Sequence, residues 1–183
     1  MKPAVFLDRD GTLIREANYL VDAADVSLLP GAGEAVMQLR AAGFAVVVVT
    51  NQSAIGRGML TEAGLTLIHN ELASQLKACG TKLDGIYHCP VAPTTSSRQT
   101  IDHPDRKPGP GMLIRAAAEL DLDLARSWMV GDTLSDLLAG RNAGVHATIL
   151  VRTGHGSSVD AGNAAVDHLV DDLSAASRLI LNL

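Results

Sequence analysis

The sequence predicts an α/β fold of three layers, in which a mostly parallel sheet lies between two layers of helices. Short apolar segments alternate with amphipathic segments along the chain, and this order of strand and helix is typical of such folds. Residues 44–49 are continuously apolar and mostly β-branched, as in a strand buried on both faces of a parallel sheet. Three predicted strands are followed directly by polar residues, which places those residues at the edge of the sheet where ligands bind.

The first half of the chain predicts two strands and two helices. Residues 4–7 form a short apolar strand, and residues 14–30 form a loop without periodicity that we expect to lie beside its end. An apolar stripe predicts a helix over residues 31–42, which leads into the strand over residues 44–49. A second helix is predicted over residues 61–79, because its first residue is a threonine, a good N-cap, and a glycine follows its end.

The second half of the chain continues the alternation after an irregular segment at residues 89–106. Prolines around Lys107 keep the backbone from being helical until about Pro110. The predicted strands cover residues 83–88, 128–130, 147–151 and 165–170, and the predicted helices cover residues 111–120, 134–143 and 172–181.

Composition predicts one domain over residues 1–183 and excludes some classes of partner. Hydrophobic residues make up 47% of the chain and charged residues 19%, so a large core can be buried. The net charge of −5 argues against nonspecific binding to nucleic acids or anionic membranes. We identify no signal peptide, membrane helix or disulfide framework in the sequence. We therefore expect a cytoplasmic monomer that acts on a small molecule.

Two carboxylates follow the first predicted strand. Asp8 and Asp10 are two positions apart, and Gly11 allows the backbone to turn away after them. A carboxylate at such a place can act as a nucleophile that forms an aspartyl-phosphate. A second carboxylate nearby can serve as general acid and then as general base. Clustered carboxylates also favour Mg²⁺, which takes a few carboxylate oxygens and keeps its waters.

Further polar residues are expected at the same edge. Thr50 and Asn51 follow one predicted strand, and Asp132 and Asp136 follow another. Lys107 arrives from a fourth connection. Acids for Mg²⁺, a nucleophile, a hydroxyl and a lysine together match the needs of phosphoryl transfer, which depends on positioning and charge neutralisation.

In these residues the sequence resembles the haloacid dehalogenase (HAD) superfamily of Mg²⁺-dependent phosphatases. The resemblance covers about residues 3–151. The four motifs are Asp8-x-Asp10-Gly11-Thr12, Val49-Thr50-Asn51, Lys107, and Gly131-Asp132-x₃-Asp136. The resemblance implies a Rossmann-like sheet. The interval between Asp10 and Asn51 already contains a loop, a helix and a strand, which leaves no room for a large cap domain.

The resemblance also implies a role for each matched residue. Asp8 would attack phosphorus and become the aspartyl-phosphate, and Asp10 would protonate the leaving oxygen and then activate water. Mg²⁺ would be bound by Asp8, by the backbone carbonyl of Asp10 and by Asp132, with Asp136 supporting its water shell. Thr50 and Lys107 would hold the phosphoryl group.

Within the superfamily, the chain looks similar to the subgroup that acts on D-glycero-D-manno-heptose 1,7-bisphosphate and on histidinol phosphate. The matching segments are Leu-Asp-Arg-Asp-Gly-Thr, Thr-Asn-Gln-Ser and Arg-Lys-Pro-x-Pro-Gly. The residues expected to bind the rest of the substrate are Glu16, Ala17, Asn18, Tyr19, Asn51, Gln52, Ser53 and Arg106.

One segment departs from the subgroup. Relatives often bind a structural Zn²⁺ before the motif lysine through a Cys-x-His…Cys-x-Cys pattern. Cys89 occupies the first of these positions, but Val91, His103 and Asp105 occupy the others. His88, Cys89, His103 and Asp105 still offer nitrogen, sulfur and oxygen donors, although their spacing differs from the family pattern. We expect a loop that has lost the zinc.

Several functions remain open at this level. A bisphosphate substrate would favour Arg106 and Arg57, whereas histidinol phosphate would favour acidic or aromatic contacts in residues 16–19. Arg106 therefore favours the heptose bisphosphate. A polynucleotide 3′-phosphatase would need a basic groove, which the net charge argues against. A phosphoacceptor signalling module would not need Asp10, because its phosphate must persist.

Overall fold

A six-stranded, entirely parallel sheet forms the centre of the computed structural model, which describes residues 1–95, 97 and 99–183. The strands are β1 (Ala4–Leu7), β2 (Ala45–Asn51), β3 (Gly85–Cys89), β4 (Trp128–Gly131), β5 (Ala147–Val151) and β6 (His168–Val170). Their order across the sheet is β3-β2-β1-β4-β5-β6. The chain moves outward from β1 to β3 and then returns to β4 on the other side of β1. Because ligands bind where the strand order reverses, the carboxyl ends of β1 and β4 mark the expected site.

Helices cover both faces of this sheet. They are α1 (Ala32–Ala41), α2 (Ser53–Gly56), α3 (Glu62–Ala78), α4 (Gly111–Leu120), α5 (Leu134–Ala143) and α6 (Leu173–Asn182). Alternate strand residues pack on opposite faces, as the two-residue period of a strand requires. Val5 and Leu7 belong to the core shared with α1, α3 and α6, whereas Ala4 and Phe6 belong to the core shared with α4. The predicted three-layer fold is therefore confirmed.

The parallel register brings the polar ends of the central strands to one level. Leu7 of β1 pairs with Val48 of β2 and with Val130 of β4. Asp8, just after β1, and Asp132, just after β4, therefore emerge at the same edge. No helix in the described part of the chain has the length and apolar character needed to cross a membrane.

The structure differs from the sequence-based elements in several places. A 3₁₀ turn at Ala23–Asp25 lies inside the long loop, and Asp22 caps it. The four-residue helix α2 is too short for a periodic pattern to reveal. The last strand is three residues shorter at its start than predicted, because Ala165 and Asp167 instead bind the side chains of Thr148 and Arg141.

Candidate active site

The predicted nucleophile Asp8 lies directly beyond the end of β1. Its backbone N–H donates to the carbonyl oxygen of Val130 at 3.0 Å, which continues the pairing of β1 with β4. Gly11 then turns the chain with a φ of +82°, a conformation that favours glycine. A side chain at Gly11 or at Gly154 would overlap the Asp132 carboxylate. The two glycines therefore let the backbone pack closely around Asp132.

Lys107 joins the acids of two strand ends. Its Nζ donates to Asp8 Oδ1 at 2.6 Å and to the Val49 carbonyl at 2.7 Å, and it lies 2.7 Å from Asp136 Oδ1. The side chain is 2% exposed, so water does not compete for these contacts. The ammonium thus makes two hydrogen bonds and an ion pair, and these contacts place it between Asp8 and Asp136.

Asn51 holds the backbone of Lys107 rather than only facing the cavity. Its Nδ2 donates to the Lys107 carbonyl at 3.1 Å, and its Oδ1 accepts from the Lys107 N–H at 3.0 Å. Since one side-chain amide satisfies both backbone groups, Asn51 ties the irregular segment before α4 to the end of β2. Sequence reasoning placed this residue among the substrate contacts and did not foresee its contact with Lys107.

Burial and like charge dominate the electrostatics of the cluster. Burial raises the pKa of Asp8; Lys107 opposes this, while Asp136 and Asp132 add to it. Burial, followed by the charge of Asp136, raises the pKa of Asp132 to about 7. Burial alone would lower the pKa of Lys107, but the nearby Asp136 and Asp8 outweigh it and raise the value. One buried ammonium is therefore shared among more than one carboxylate, and the site has an excess of negative charge.

This excess makes the cluster suited to a divalent cation. Asp8, Asp132 and Asp136 each offer a carboxylate oxygen, and these oxygens lie within 4.8 Å of one another. Asp132 Oδ1 is buried and has no hydrogen-bond partner among the described residues. Asp136 is already occupied, because it accepts from Thr133 and contacts Lys107. All-oxygen donors of this kind suit Mg²⁺, with Asp132 as the acid that most lacks a partner.

Asp10 is held by a separate network on the side of α3. The guanidinium of Arg9 approaches both of its carboxylate oxygens, the shortest separation being 2.9 Å. Gln52 donates to Asp10 Oδ2 at 3.1 Å and to Thr50 Oγ1 at 2.8 Å, and its own Oε1 accepts from Arg9 at 3.0 Å. Gln52 therefore connects the predicted acid–base residue to the predicted phosphoryl-binding hydroxyl.

A cavity of about 600 Å³ opens in front of these groups. Its lining contains every site residue predicted from the sequence except Ala17, which is exposed and lies outside it: Asp8, Asp10, Glu16, Asn18, Tyr19, Thr50, Asn51, Gln52, Ser53, Arg106, Lys107, Asp132 and Asp136. Glu16 accepts from the Asn18 N–H at 2.7 Å, and Asn18 and Tyr19 both have positive φ angles. This local turn directs the loop over the cavity.

Arg57 and Arg106 line the cavity in addition to Arg9. Arg106 donates to the Val91 carbonyl at 2.8 Å and lies 3.9 Å from Asp102. Arg57 also lines the cavity, and its guanidinium carbon lies 6.0 Å from the centre of the Tyr19 ring. Both cations face the cavity, although the chain as a whole is acidic.

The irregular segment before Lys107 does not assemble the four candidate zinc donors. His88 faces Glu62, with Nε2 and Oε2 3.0 Å apart, whereas Cys89 Sγ lies 3.9 Å from His103 Nδ1. Asp105 forms an ion pair with Arg115 at 2.5 Å. Burial raises the pKa of the Cys89 thiol, which disfavours the thiolate that zinc requires. Polar contacts and ion pairs hold this part of the segment; Ser96 and Arg98 lie outside the described residues.

Sequence reasoning missed three residues at or behind the cavity. Arg9 stands between the two motif aspartates and is 1% exposed, yet it was given no role. His69 was assigned none either, although it contacts Arg9. The backbone N–H of His155 donates to Asp132 Oδ2 at 2.7 Å. An arginine between two motif aspartates, directly after an apolar strand, was a usable signal. The two histidines carry no local signal, because distant segments bring them to the site.

Comparison with known proteins defines the class of this chain. The HAD-hydrolase-like family model matches residues 105–176. The chain belongs to the haloacid dehalogenase-like hydrolases, and it is a phosphatase.

Relatives within this family cover nearly the whole chain. D-glycero-beta-D-manno-heptose-1,7-bisphosphate 7-phosphatase from Escherichia coli K12 is 43% identical over 97% of this chain and 93% of its own length. The enzyme of that name from Pasteurella multocida is 38% identical over 100% and 99%. The crystal structure of the D,D-heptose 1,7-bisphosphate phosphatase from B. bronchiseptica, complexed with magnesium and phosphate, matches with a TM-score of 0.86 and 34% identity over 98% of each chain.

Proposed function

We propose that this chain is a Mg²⁺-dependent phosphatase that works through an aspartyl-phosphate and removes the 7-phosphate of D-glycero-D-manno-heptose 1,7-bisphosphate. The observation that carries the proposal is the buried cluster of Asp8, Lys107 and Asp132, which opens into a cavity that Arg57 and Arg106 also line. The names of the relatives support the choice of substrate. The proposal includes a single domain over residues 1–183, a monomeric state and a cytoplasmic location.

The first chemical step forms a bond between an Asp8 oxygen and phosphorus. The bond from phosphorus to the sugar oxygen breaks with its electron pair, and a protonated Asp10 gives that oxygen its proton. Lys107 holds Oδ1 of Asp8, so the second oxygen is free of this contact and suited to attack. Neutralisation of the transferred group by fixed charges is the main source of rate enhancement in such reactions.

The second step hydrolyses the aspartyl-phosphate. Asp10, now ionised, removes a proton from water as the water oxygen bonds to phosphorus, and the bond between phosphorus and Asp8 breaks. The products are inorganic phosphate and a regenerated Asp8 carboxylate. The hydroxyl of Thr50 and the ammonium of Lys107 would hold the phosphoryl oxygens throughout, in keeping with their positions beside Asp8 and Asp10.

Mg²⁺ would be held by Asp8, the Asp10 carbonyl and Asp132, with Asp136 supporting its waters, and it would neutralise charge on the transferred group. Asp132 fits this role because its Oδ1 is buried without a partner in the described part of the chain. The chain's own contribution is to exclude water and to fix the carboxylates through Lys107 and the two close glycines.

Arg106 and Arg57 support a substrate with two phosphates. Both line the same cavity as Asp8, and a second phosphate held there would need cations. Histidinol phosphate is the alternative substrate, and the observation that favours it is that Glu16 and Tyr19 also line the cavity. An acid and an aromatic ring would suit an imidazolium group.

The test is phosphate release with Mg²⁺ from both anomers of heptose 1,7-bisphosphate, from histidinol phosphate and from other sugar phosphates. We expect a kcat/KM advantage of about 100-fold for the heptose bisphosphate, equivalent to about 2.7 kcal/mol. Preference for histidinol phosphate would replace the substrate assignment. The variant Asp8→Asn should release no phosphate, and full activity in it would contradict the aspartyl-phosphate mechanism.

A further inference from the structure

A buried arginine supports the predicted acid–base residue. Arg9 has five N–H donors in a fixed planar arrangement and no acceptor. Its Nε and one terminal nitrogen face Asp10, and that terminal nitrogen also donates to Gln52. With the side chain 1% exposed, water cannot satisfy the remaining donors. The other terminal nitrogen, Nη1, therefore needs an acceptor from the protein, and the orientation of the whole guanidinium depends on where that acceptor lies.

His69 supplies this acceptor from α3. Its Nε2 lies 3.3 Å from Arg9 Nη1. Because arginine cannot accept a hydrogen bond, Nε2 must carry the lone pair, so the imidazole is neutral. The surroundings agree with this, since burial and then the charges of Arg9 and His88 lower the pKa of His69 to about 4. His69 does not line the cavity, so it has no direct contact with substrate.

The position of His69 is itself supported from behind. The rings of His69 and His88 meet edge to face, with centroids 6.1 Å apart. His88 Nε2 in turn lies 3.0 Å from Glu62 Oε2 on the same helix as His69. A line of contacts therefore runs from Glu62 through His88, His69 and Arg9 to Asp10, and it ties α3 to the end of β1.

We propose that His69 is a positioning residue for the acid–base step, because it anchors one edge of Arg9 so that the opposite edge holds Asp10 in place. The inference rests on the proposed function only in taking Asp10 as the general acid. Small displacements of a catalytic group cost large factors in rate, and general acids contribute about 10²- to 10⁴-fold. Loss of the His69 acceptor should therefore weaken protonation of the sugar oxygen by Asp10, whereas attack by Asp8 on phosphorus should be unaffected.

The test compares two substrates that differ in their need for this proton. The sugar of a sugar phosphate departs as a strongly basic alkoxide unless its oxygen is protonated. The leaving group of p-nitrophenyl phosphate is p-nitrophenolate, which is weakly basic and needs no proton. The quantity measured is the ratio of kcat/KM for heptose 1,7-bisphosphate to that for p-nitrophenyl phosphate. Each kcat/KM reports only the steps up to formation of the aspartyl-phosphate. The ratio of the two values does not depend on the fraction of active protein.

Three variants define the outcome. We expect His69→Leu to lower kcat/KM about 10-fold for the sugar phosphate and by less than about 3-fold for p-nitrophenyl phosphate, a modest part of what a general acid contributes. His69→Gln, whose amide oxygen can accept from Arg9, should keep the wild-type ratio. Leu67→Ala, at a site on α3 that is 61% exposed, is the matched control and should also keep it.

Parallel losses on both substrates in His69→Leu would overturn the proposal, because they would show a structural role. If His69→Gln and His69→Leu have the same ratio of kcat/KM for the two substrates, a hydrogen-bond acceptor for Arg9 at position 69 is not what matters, and the proposal is overturned. If the wild type prefers another sugar phosphate, the substrate assignment fails, but the same ratio measured with that sugar phosphate still tests His69.

Discussion

Replacement of Asn51 by alanine should weaken both the fold and catalysis through Lys107. The side chain of Asn51 makes two hydrogen bonds to the Lys107 backbone, at 3.0 and 3.1 Å. At about 1 kcal/mol for each hydrogen bond, Asn51→Ala should lower the free energy of unfolding by about 2 kcal/mol. The Lys107 ammonium would then be less firmly fixed between Asp8 and Asp136, so we expect kcat to fall about 10-fold, as when a positioning contact is lost.

Urea unfolding, followed through the fluorescence of Trp128, measures the stability term, and steady-state phosphate release measures kcat and KM. Leu67→Ala is the control, because Leu67 is exposed on α3 and does not line the cavity. An unfolding free energy for Asn51→Ala within about 0.5 kcal/mol of wild type, which is below the value of one hydrogen bond, together with a raised KM, would refute the reasoning. Asn51 would then be mainly a substrate contact.

Three further predictions concern the metal, pH and zinc. Gly154→Ala should raise the Mg²⁺ concentration for half-maximal activity about 10-fold, which corresponds to about 1.4 kcal/mol, because the methyl group would overlap Asp132. Gly80→Ala is the control, since Gly80 has a similar positive φ but open space around it, and it should leave this concentration unchanged. An equal rise in both variants would point to backbone strain. The pKa of His69 is lowered to about 4 in the folded protein, so as pH falls below about 6.5 this histidine takes up a proton in the unfolded chain first. The free energy of unfolding should therefore fall more for wild type than for His69→Gln between pH 7 and pH 4. Identical losses would contradict this. Elemental analysis should find far less than one zinc ion per chain, and a stoichiometric zinc that disappears in Cys89→Ala would show that the segment still binds it.

Much of the fold was predictable because its signals are local. The continuous apolar run in β2 and the apolar stripe of α1 reflect burial that recurs at each residue or each turn. The short helix α2 and the late start of β6 were not predictable. Four residues are too few for a period, and the start of β6 depends on side chains of Thr148 and Arg141 that come from other elements.

The candidate site was predictable for a related reason. Asp8, Thr50, Lys107 and Asp132 stand at strand ends or at the start of a helical segment, and a parallel sheet brings such ends to one edge. By contrast, the contact of Asn51 with the Lys107 backbone has no local pattern. It depends on how an irregular segment packs against β2, and no period in the sequence encodes that packing.

By itself, the sequence determined the class of fold, the order of its elements, and the acids and lysine that meet at one edge, because these follow from hydrophobic periodicity and from motif residues next to strand ends. Only the tertiary structure decided how each of these groups is held. Arg9 is buried against Asp10 and His69, and Asp132 is enclosed by two glycines distant in sequence. The physical reason is that hydrogen bonds and burial inside a core depend on distances between segments far apart in the chain, whereas periodicity reports only on neighbours along it.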